Sequence, residues 1–315
     1  MRPVYIIIVN YKNWQDTTEC LDAVFHSSFK GFSVIVVDNF SPNKSLEQLV
    51  SWIDKHNNNT SEINIGYKVY QREQIDDSID PASLPRLTFI QNDTNGGFAA
   101  GNNIALRLLK NRDAYFWLLN PDIIAQENTL AELARFANQL PTDAIIGGVI
   151  RSLSGNHELL FYGGATINVM TSTITPTREI SSDPALDYIH GACLFAHTTL
   201  LNKAGLMPEE YFLYWEESDW CFRARRQGCT LHVCSTAVCF DKISTTIGRG
   251  FMADYYYVRN GLLFISKYKK GNLPVVVFFN MLRFFKRVVT GQWKKAAGVW
   301  RGTIDFFKMK RDESK

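Results

Sequence analysis

Apolar residues come in short, nearly unbroken runs over the first 140 positions, and each run is followed by a stretch with helical period. Val4-Tyr5-Ile6-Ile7-Ile8-Val9 predicts a fully buried strand and residues 16–26 a helix; Ser33-Val34-Ile35-Val36-Val37 predicts a second strand, with a helix over 45–55. Leu87-Thr88-Phe89-Ile90 precedes a helix over 98–110, and Ala114-Tyr115-Phe116-Trp117-Leu118-Leu119 precedes one over 127–139. Continuous apolar strands alternating with helices predict an α/β fold whose mostly parallel, Rossmann-like sheet is flanked by helices on both faces. Residues 56–86 break the rhythm with Asn57-Asn58-Asn59, several acids and two prolines, and read as an exposed polar insertion.

The pattern changes again beyond residue 260. Between 275 and 289 the polar residues are few, and positions 280, 283, 287, 290 and 294 draw one polar stripe along a helix. After Gly291, a second helix would place Trp293, Ala297, Trp300, Ile304 and Phe307 on one face, with Lys294, Lys295, Arg301 and Lys308 mostly opposite. The division expected is therefore a catalytic domain over 1–260 and a basic amphipathic helical extension over 261–315.

Charge sharpens that division. The net charge is only +3, but 13 Lys/Arg face 3 Asp/Glu from 261 onward, against 21 and 28 in the remainder. Aromatic, basic amphipathic helices suit an anionic bilayer interface; packing on the domain or on a second copy is the alternative, and nucleic acid would leave the apolar face unexplained. The N-terminal apolar run of six residues is too short for a signal peptide's apolar region or a bilayer span. The six cysteines lie in apolar or helical stretches and read as reduced core thiols. Cys229, Cys234 and Cys239, with His232 among them, lack the C-x-x-C spacing of a zinc knuckle.

Each of the four strands ends in a polar cluster: Asn10-Tyr11, Asp38-Asn39, residues 92–97, and Asn120-Pro121-Asp122. Ligands of open parallel sheets bind outside the carboxyl ends of the strands, so these clusters should converge on one crevice. Taken singly each has a plainer reading. Asp38 fits a turn; Asn120-Pro121-Asp122 fits a turn and a helix cap, or a hard oxygen ligand set for Mg2+ or Mn2+ against a diphosphate. Asn95-Gly96-Gly97-Phe98-Ala99-Ala100-Gly101-Asn102-Asn103 opens a helix as a phosphate-binding loop would, without the spacing of a P-loop or dinucleotide fingerprint.

Together these segments, with His190-Gly191-Ala192-Cys193 and Tyr214-Trp215-Glu216-Glu217-Ser218-Asp219-Trp220-Cys221-Phe222-Arg223, resemble family 2 of the glycosyltransferases, in particular its rhamnosyltransferase-like branch, in family order from residue 4 to about 270. The resemblance implies a GT-A fold and an inverting transfer from a nucleoside-diphosphate sugar, with dTDP-rhamnose favoured by the branch. It puts Asn10 and Tyr11 near the nucleoside, Asp38 at the base, and Asn95, Gly96, Gly97 and Asn102 at the ribose and diphosphate. Asp122 matches the last acid of the metal-binding D-x-D motif, with Asn120 at its first position. Glu217 takes the place of the general base, with Glu216 and Asp219 as alternatives; as a plainer reading, the three acids complement a helix dipole. Asp241 stands where relatives usually carry a late metal-ligating histidine. The implied acceptor is a glycan or lipid-linked glycan of envelope polysaccharide synthesis, at the cytoplasmic face of the cell membrane. A nucleotidyltransferase would need a basic glycine-rich loop after the first strand, where Asn10-Tyr11-Lys12-Asn13-Trp14 stands instead; a sugar-nucleotide binder without turnover is the remaining alternative.

Overall fold

A computed structural model describes residues 2–59, 64–76, 78–242 and 250–312. Its centre is a sheet of ten strands, nine of which lie in the order β3-β4-β2-β1-β5-β12-β7-β13-β6 while β8 pairs with β7. The parallel half consists of β1 (Val4–Asn10), β2 (Phe32–Asp38), β3 (Tyr67–Gln71), β4 (Leu87–Gln91) and β5 (Tyr115–Leu119). Because these strands run the same way, Asn10, Asp38 and Gln91 fall in register at one edge.

Alternation along β1 explains why both faces are covered. Val4, Ile6 and Ile8 enter one apolar layer with α1 (Trp14–Phe25), α2 (Ser45–Asn59) and α4 (Thr129–Ala137). Tyr5 and Ile7 enter the other, with α3 (Gly97–Leu109), α5 (Thr199–Ala204) and α6 (Glu216–Arg226). Each fully buried Ile or Leu contributes roughly 1.5–3 kcal/mol relative to exposure, so this two-sided burial dominates the favourable terms.

The second half of the sheet is mixed. β7 (Ala144–Ser152) and β13 (Thr230–Asp241) are parallel, while β6 (Ile123–Ala125), β8 (Leu159–Tyr162) and β12 (Cys193–His197) run against their neighbours. A separate three-stranded sheet, β10-β9-β11, is formed by β9 (Gly164–Asn168), β10 (Thr173–Pro176) and β11 (Tyr188–Ile189).

Residues 56–86 depart from the expected exposed excursion. Part of the segment is β3, which adds an edge strand to the sheet and sets the Tyr67 ring edge-on to Phe89. Ile65, Ile75 and Leu84 are buried. Asn57 pins the return: its amide donates to the Ile65 carbonyl at 3.1 Å and accepts the Ile65 N–H at 2.9 Å.

The division expected at 260/261 falls inside a continuous helix, α7 (Phe251–Tyr268). α9 (Trp293–Asp312) lies directly on α7: a Cβ on Gly298 would stand 2.4 Å from the Phe251 carbonyl oxygen, and one on Gly302 2.6 Å from that of Tyr255. α8 (Leu273–Val289) packs beside α9. The stripe of polar residues on α8 turns inward. Asn280 is buried, Arg283 stacks over Tyr257, and Arg287 pairs with Asp254 at 3.2 Å. Outside are Phe278, Leu282, Phe285 (60% exposed) and Val289 (85%), continued on α9 by Trp293 (66%), Trp300 and Phe307. No helix among the described residues is long and apolar enough to cross a membrane.

Candidate active site

The carboxyl ends of β1, β2 and β4 are tied into one hydrogen-bonded network. Asn10, wholly buried, donates from Nδ2 to Asp38 Oδ1 at 2.6 Å and accepts from the Thr17 hydroxyl at 2.9 Å. Asp38 Oδ2 accepts from the Ser41 N–H and from Gln91 Nε2, both at 3.0 Å. One residue on, Asn39 donates to Asn95 Oδ1 at 2.9 Å and to the Gly97 carbonyl at 3.0 Å, and accepts from Asn92 Nδ2 at 2.9 Å. A buried amide or carboxylate left unpaired costs about 1–3 kcal/mol or more, so these residues hold one another in place. Asn10 and Asp38 thus form the floor of the crevice. Tyr11, half-exposed with the Lys12 ammonium 4.9 Å from its ring centre, stands at the rim.

The glycine-rich loop is tied to the segment that precedes α6. Gly97 has φ +88°, and a Cβ there would lie 2.0 Å from the Phe212 carbonyl oxygen, to which the Phe98 N–H donates at 2.9 Å. Only glycine permits that approach of two backbone segments. Gly96 precedes the first turn of α3, and buried Asn102 donates to the Phe98 carbonyl at 2.9 Å within the same helix. Asn95 Oδ1 accepts the Gly97 N–H at 3.1 Å as well as the Asn39 amide. Gly97 and Asn102 thus make contacts inside the protein, and Asn39 and Asn92 hold this loop.

Asn120-Pro121-Asp122 links β5 to β6. The Asn120 N–H donates to the Ala192 carbonyl at 3.2 Å, which brings the His190-Gly191-Ala192 segment alongside. Asp241 pairs with Ile123 across the β13–β6 ladder, and the Lys242 N–H donates to the Asp122 carbonyl at 3.3 Å, so the two predicted metal-binding aspartates are neighbours in the fold. Asn120 Oδ1 is buried without a hydrogen-bond partner. Among the described residues no three His, Cys, Asp or Glu side chains form a ready-made metal cage. The donor chemistry at this turn, an orphaned amide oxygen at Asn120 with aspartates at 122 and 241 on neighbouring backbone, is of the kind that suits a hard divalent ion with water and substrate phosphate as further ligands. The Lys242 ammonium beside this turn pairs with Asp16 at 2.8 Å and Glu19 at 2.5 Å.

The three acids of α6 occupy three different environments. Asp219 is fully buried and saturated: Tyr211 and Arg223 donate at 2.7 and 2.9 Å, Lys267 and Tyr268 both at 2.9 Å. Its four donors hold it as a structural post between α6 and α7. Glu216 is buried with Oε2 unpartnered; burial, and then the adjacent Glu217, push its carboxyl well above the ordinary range. Glu217 is half-buried and accepts the Gly191 N–H, with burial raising its carboxyl. Its Oε1 would lie 3.6 Å from a Cβ on Gly191, so it reaches the segment that borders Asn120. His190 packs on Phe161 with ring centres 4.0 Å apart, and burial lowers its imidazole to about 4, which keeps it neutral. All six cysteines are buried and unpaired; Cys229 precedes β13 while Cys234 and Cys239 lie within it, and the Cys193 and Cys239 sulfurs are 3.9 Å apart.

The fold is that of the GT-A glycosyltransferases. Solved structures that share it include a Pyrobaculum calidifontis mannosyltransferase in complex with GDP-Man and Mn2+ (TM-score 0.56, 14% identity, 98% of this chain and 88% of that one). S. aureus TarS 1-349 in complex with UDP-GlcNAc is another (TM-score 0.52, 18% identity, 88% and 71%). The chain belongs to glycosyl transferase family 2, whose family model matches residues 5–193. Among curated relatives, it is 25% identical over 235 residues to the low-salt glycan biosynthesis hexosyltransferase Agl10 of Haloferax volcanii, covering 73% of this chain. It is also 25% identical over 150 residues to the rhamnosyltransferase WbbL of Escherichia coli K12, covering 43% of this chain. These matches span 64% and 57% of the two relatives' lengths.

Proposed function

We propose that this protein transfers a hexosyl unit from a nucleoside-diphosphate sugar to a hydroxyl of a glycan or lipid-linked acceptor, inverting the anomeric centre. The observation that carries the reading is the meeting of Asn120-Pro121-Asp122 with Glu217 across Gly191. A turn suited to a diphosphate and a half-buried carboxylate suited to a hydroxyl thereby border one crevice. A single displacement needs these two functions on opposite sides of the sugar carbon.

In this reading Glu217 takes the acceptor proton while the buried Glu216 beside it keeps its own. The floor of Asn10, Asp38, Asn39 and Asn92 holds the strand-end loops rigid, so a donor is received with little rearrangement. Asp122, Asp241 and Asn120 Oδ1 would hold Mg2+ or Mn2+, which would supply charge neutralisation to the leaving diphosphate. Rhamnose from dTDP-rhamnose is the donor favoured, supported by the likeness to WbbL; the likeness to a second hexosyltransferase supports only the broader class. The outward aromatic face of α8 and α9, with its basic residues, supports attachment to an anionic leaflet at the cytoplasmic side of a membrane, where a lipid-linked acceptor would be met.

The deciding experiment is a transfer assay on the purified chain with a panel of UDP-, dTDP- and GDP-sugars, alongside thermal unfolding with each nucleotide. A bound donor raises the unfolding temperature. Asp122→Asn and Glu217→Gln are each expected to lower transfer by about 100-fold or more. Transfer near the wild-type rate in both variants would overturn the assignment. Protection by a nucleotide sugar without transfer to any acceptor would favour a binding protein.

A further inference from the structure

Phe212, Tyr214 and Trp215 immediately precede the acids of α6, and all three adopt left-handed backbone at φ 64°, 64° and 77°. Large aromatic residues occupy this region rarely and at a cost, so such a run persists only where its surroundings impose it. Trp215 is the residue from which α6 starts, and Glu216 and Glu217 are the first two residues of the helix. The direction of Glu217 is therefore set by this strained turn.

The turn is held from outside the parallel half-sheet, by α7. Asn260 is wholly buried, and its Nδ2 lies 2.7, 2.6 and 3.0 Å from the carbonyl oxygens of Tyr211, Leu213 and Tyr214. Its Oδ1 accepts from Arg259 Nε at 2.8 Å, which fixes the amide with its nitrogen toward the turn. Arg259 Nη2 donates in addition to the carbonyls of Glu210 and Tyr211, at 3.0 and 2.8 Å. The Tyr257 carbonyl accepts from Trp215 Nε1 at 3.1 Å. On the opposite side Gly97 and Phe98 press on Phe212.

We propose that Asn260 is a positioning residue for the transfer step, holding the left-handed turn at 212–215 so that Glu217 faces Gly191 and the crevice. This rests on Glu217 being the proton acceptor. The amide is suited to the task because its two N–H groups are shared among three carbonyls that α6 does not use, with the Arg259 guanidinium supplementing them at Tyr211. Loss of the clamp lets the turn relax toward ordinary backbone, which swings the first turn of α6 and its carboxylates. The donor floor keeps its own hydrogen bonds among Asn10, Asp38, Asn39 and Asn92 and meets the turn through Gly97 and Phe98.

The test compares Asn260→Ala with wild type in the full chain by three readouts. Transfer kcat should fall by about 100-fold while the donor KM changes by less than about threefold, because a misplacement of about 1 Å is enough for such a loss. Amide exchange over 211–218 should accelerate by about tenfold or more, with β1, β2 and β5 unchanged. Thermal protection by UDP or dTDP should be retained. Unaltered kcat, or exchange that accelerates equally in every strand, would overturn the proposal. If Asn260→Ala does not fold, Arg259→Gln removes the flanking donors at a partly exposed position. It should lower kcat by about tenfold with the same local exchange pattern, and wild-type kcat in that variant would count against the clamp. A wild-type chain that transfers no sugar would overturn the activity itself. Exchange in Asn260→Ala would still decide the clamp, with unchanged protection at 211–218 sinking it.

Discussion

The crevice at the sheet edge and the outer face of α8–α9 solve opposite problems. In the crevice, polar side chains are buried and nearly every one is matched: Asn10 to Asp38, Asn39 to Asn95 and Asn92, Asp219 to four donors. On α8 the polar residues also face inward, yet large apolar side chains are left in the open. Burial of apolar area is the main stabilising term, so a face of this kind is tolerated where something other than water covers it. The crevice is therefore built to be rigid on its own, whereas the helical face is built for contact.

The largest effects should come from the two carboxylates that stand side by side but differ in burial. Glu217→Gln should lower kcat by about 10²–10⁴-fold, the range for loss of a general base, and leave nucleotide protection intact. Glu216→Gln should retain most activity and the wild-type pH profile, since the residue it replaces keeps its proton while Glu217 titrates. With burial raising Glu217, activity should rise with pH along a limb displaced above the ordinary glutamate range. A limb at ordinary glutamate pH, or one moved by Glu216→Gln, would reverse the assignment of roles. For stability the sign is the opposite. The raised Glu216 favours the folded state at pH below its unfolded value, and that contribution disappears as pH climbs through the folded value. Glu216→Gln should flatten this decline with rising pH in a denaturant titration.

Next in size is the matched network. Asn10→Ala removes one partner each from the buried Asp38 Oδ1 and the Thr17 hydroxyl and should cost about 2–3 kcal/mol in urea unfolding. Phe285→Ser, on the open face, should change stability by less than about 0.5 kcal/mol. Equal costs would mean that the outer face of α8 is covered in the isolated chain.

The open face makes its difference in membrane attachment, not in stability or transfer. The pair Phe278→Ser and Phe285→Ser should weaken flotation with vesicles containing anionic phosphatidylserine by about tenfold or more, given roughly 1.5–3 kcal/mol per buried phenylalanine. Transfer to a water-soluble acceptor should be unaffected. Absence of wild-type flotation, with a concentration-dependent dimer instead, would assign the face to a second copy.

The parallel half-sheet was legible because its strands are buried on both faces and leave continuous apolar runs, and the position of the crevice followed from their common direction. The edge strand β3 was not legible: Lys68 and Gln71 are exposed, and only its pairing with β4 makes Tyr67–Gln71 a strand. The short antiparallel strands between 159 and 189 likewise owe their form to neighbours. In the site, the polar clusters were visible as residue types, but not which members face a ligand. Gly97 serves a backbone contact at 212, and Asp219 a cluster that includes Lys267 and Tyr268. The one available signal for Asn260 was an amide placed between Val258 and Leu262 on an apolar helix face.

The sequence by itself determined the fold class, the crevice at the strand ends, membership in a sugar-transferring family by resemblance, and the amphipathic, basic character of the last fifty residues. These are properties of periodicity and local composition, which each segment carries without its partners. Tertiary structure alone decided which acid of α6 is saturated, which is dry and which lies against Gly191, and that α8 turns its polar stripe inward. Those outcomes depend on distances between groups far apart in the chain, and burial and hydrogen bonding there set both charge and direction.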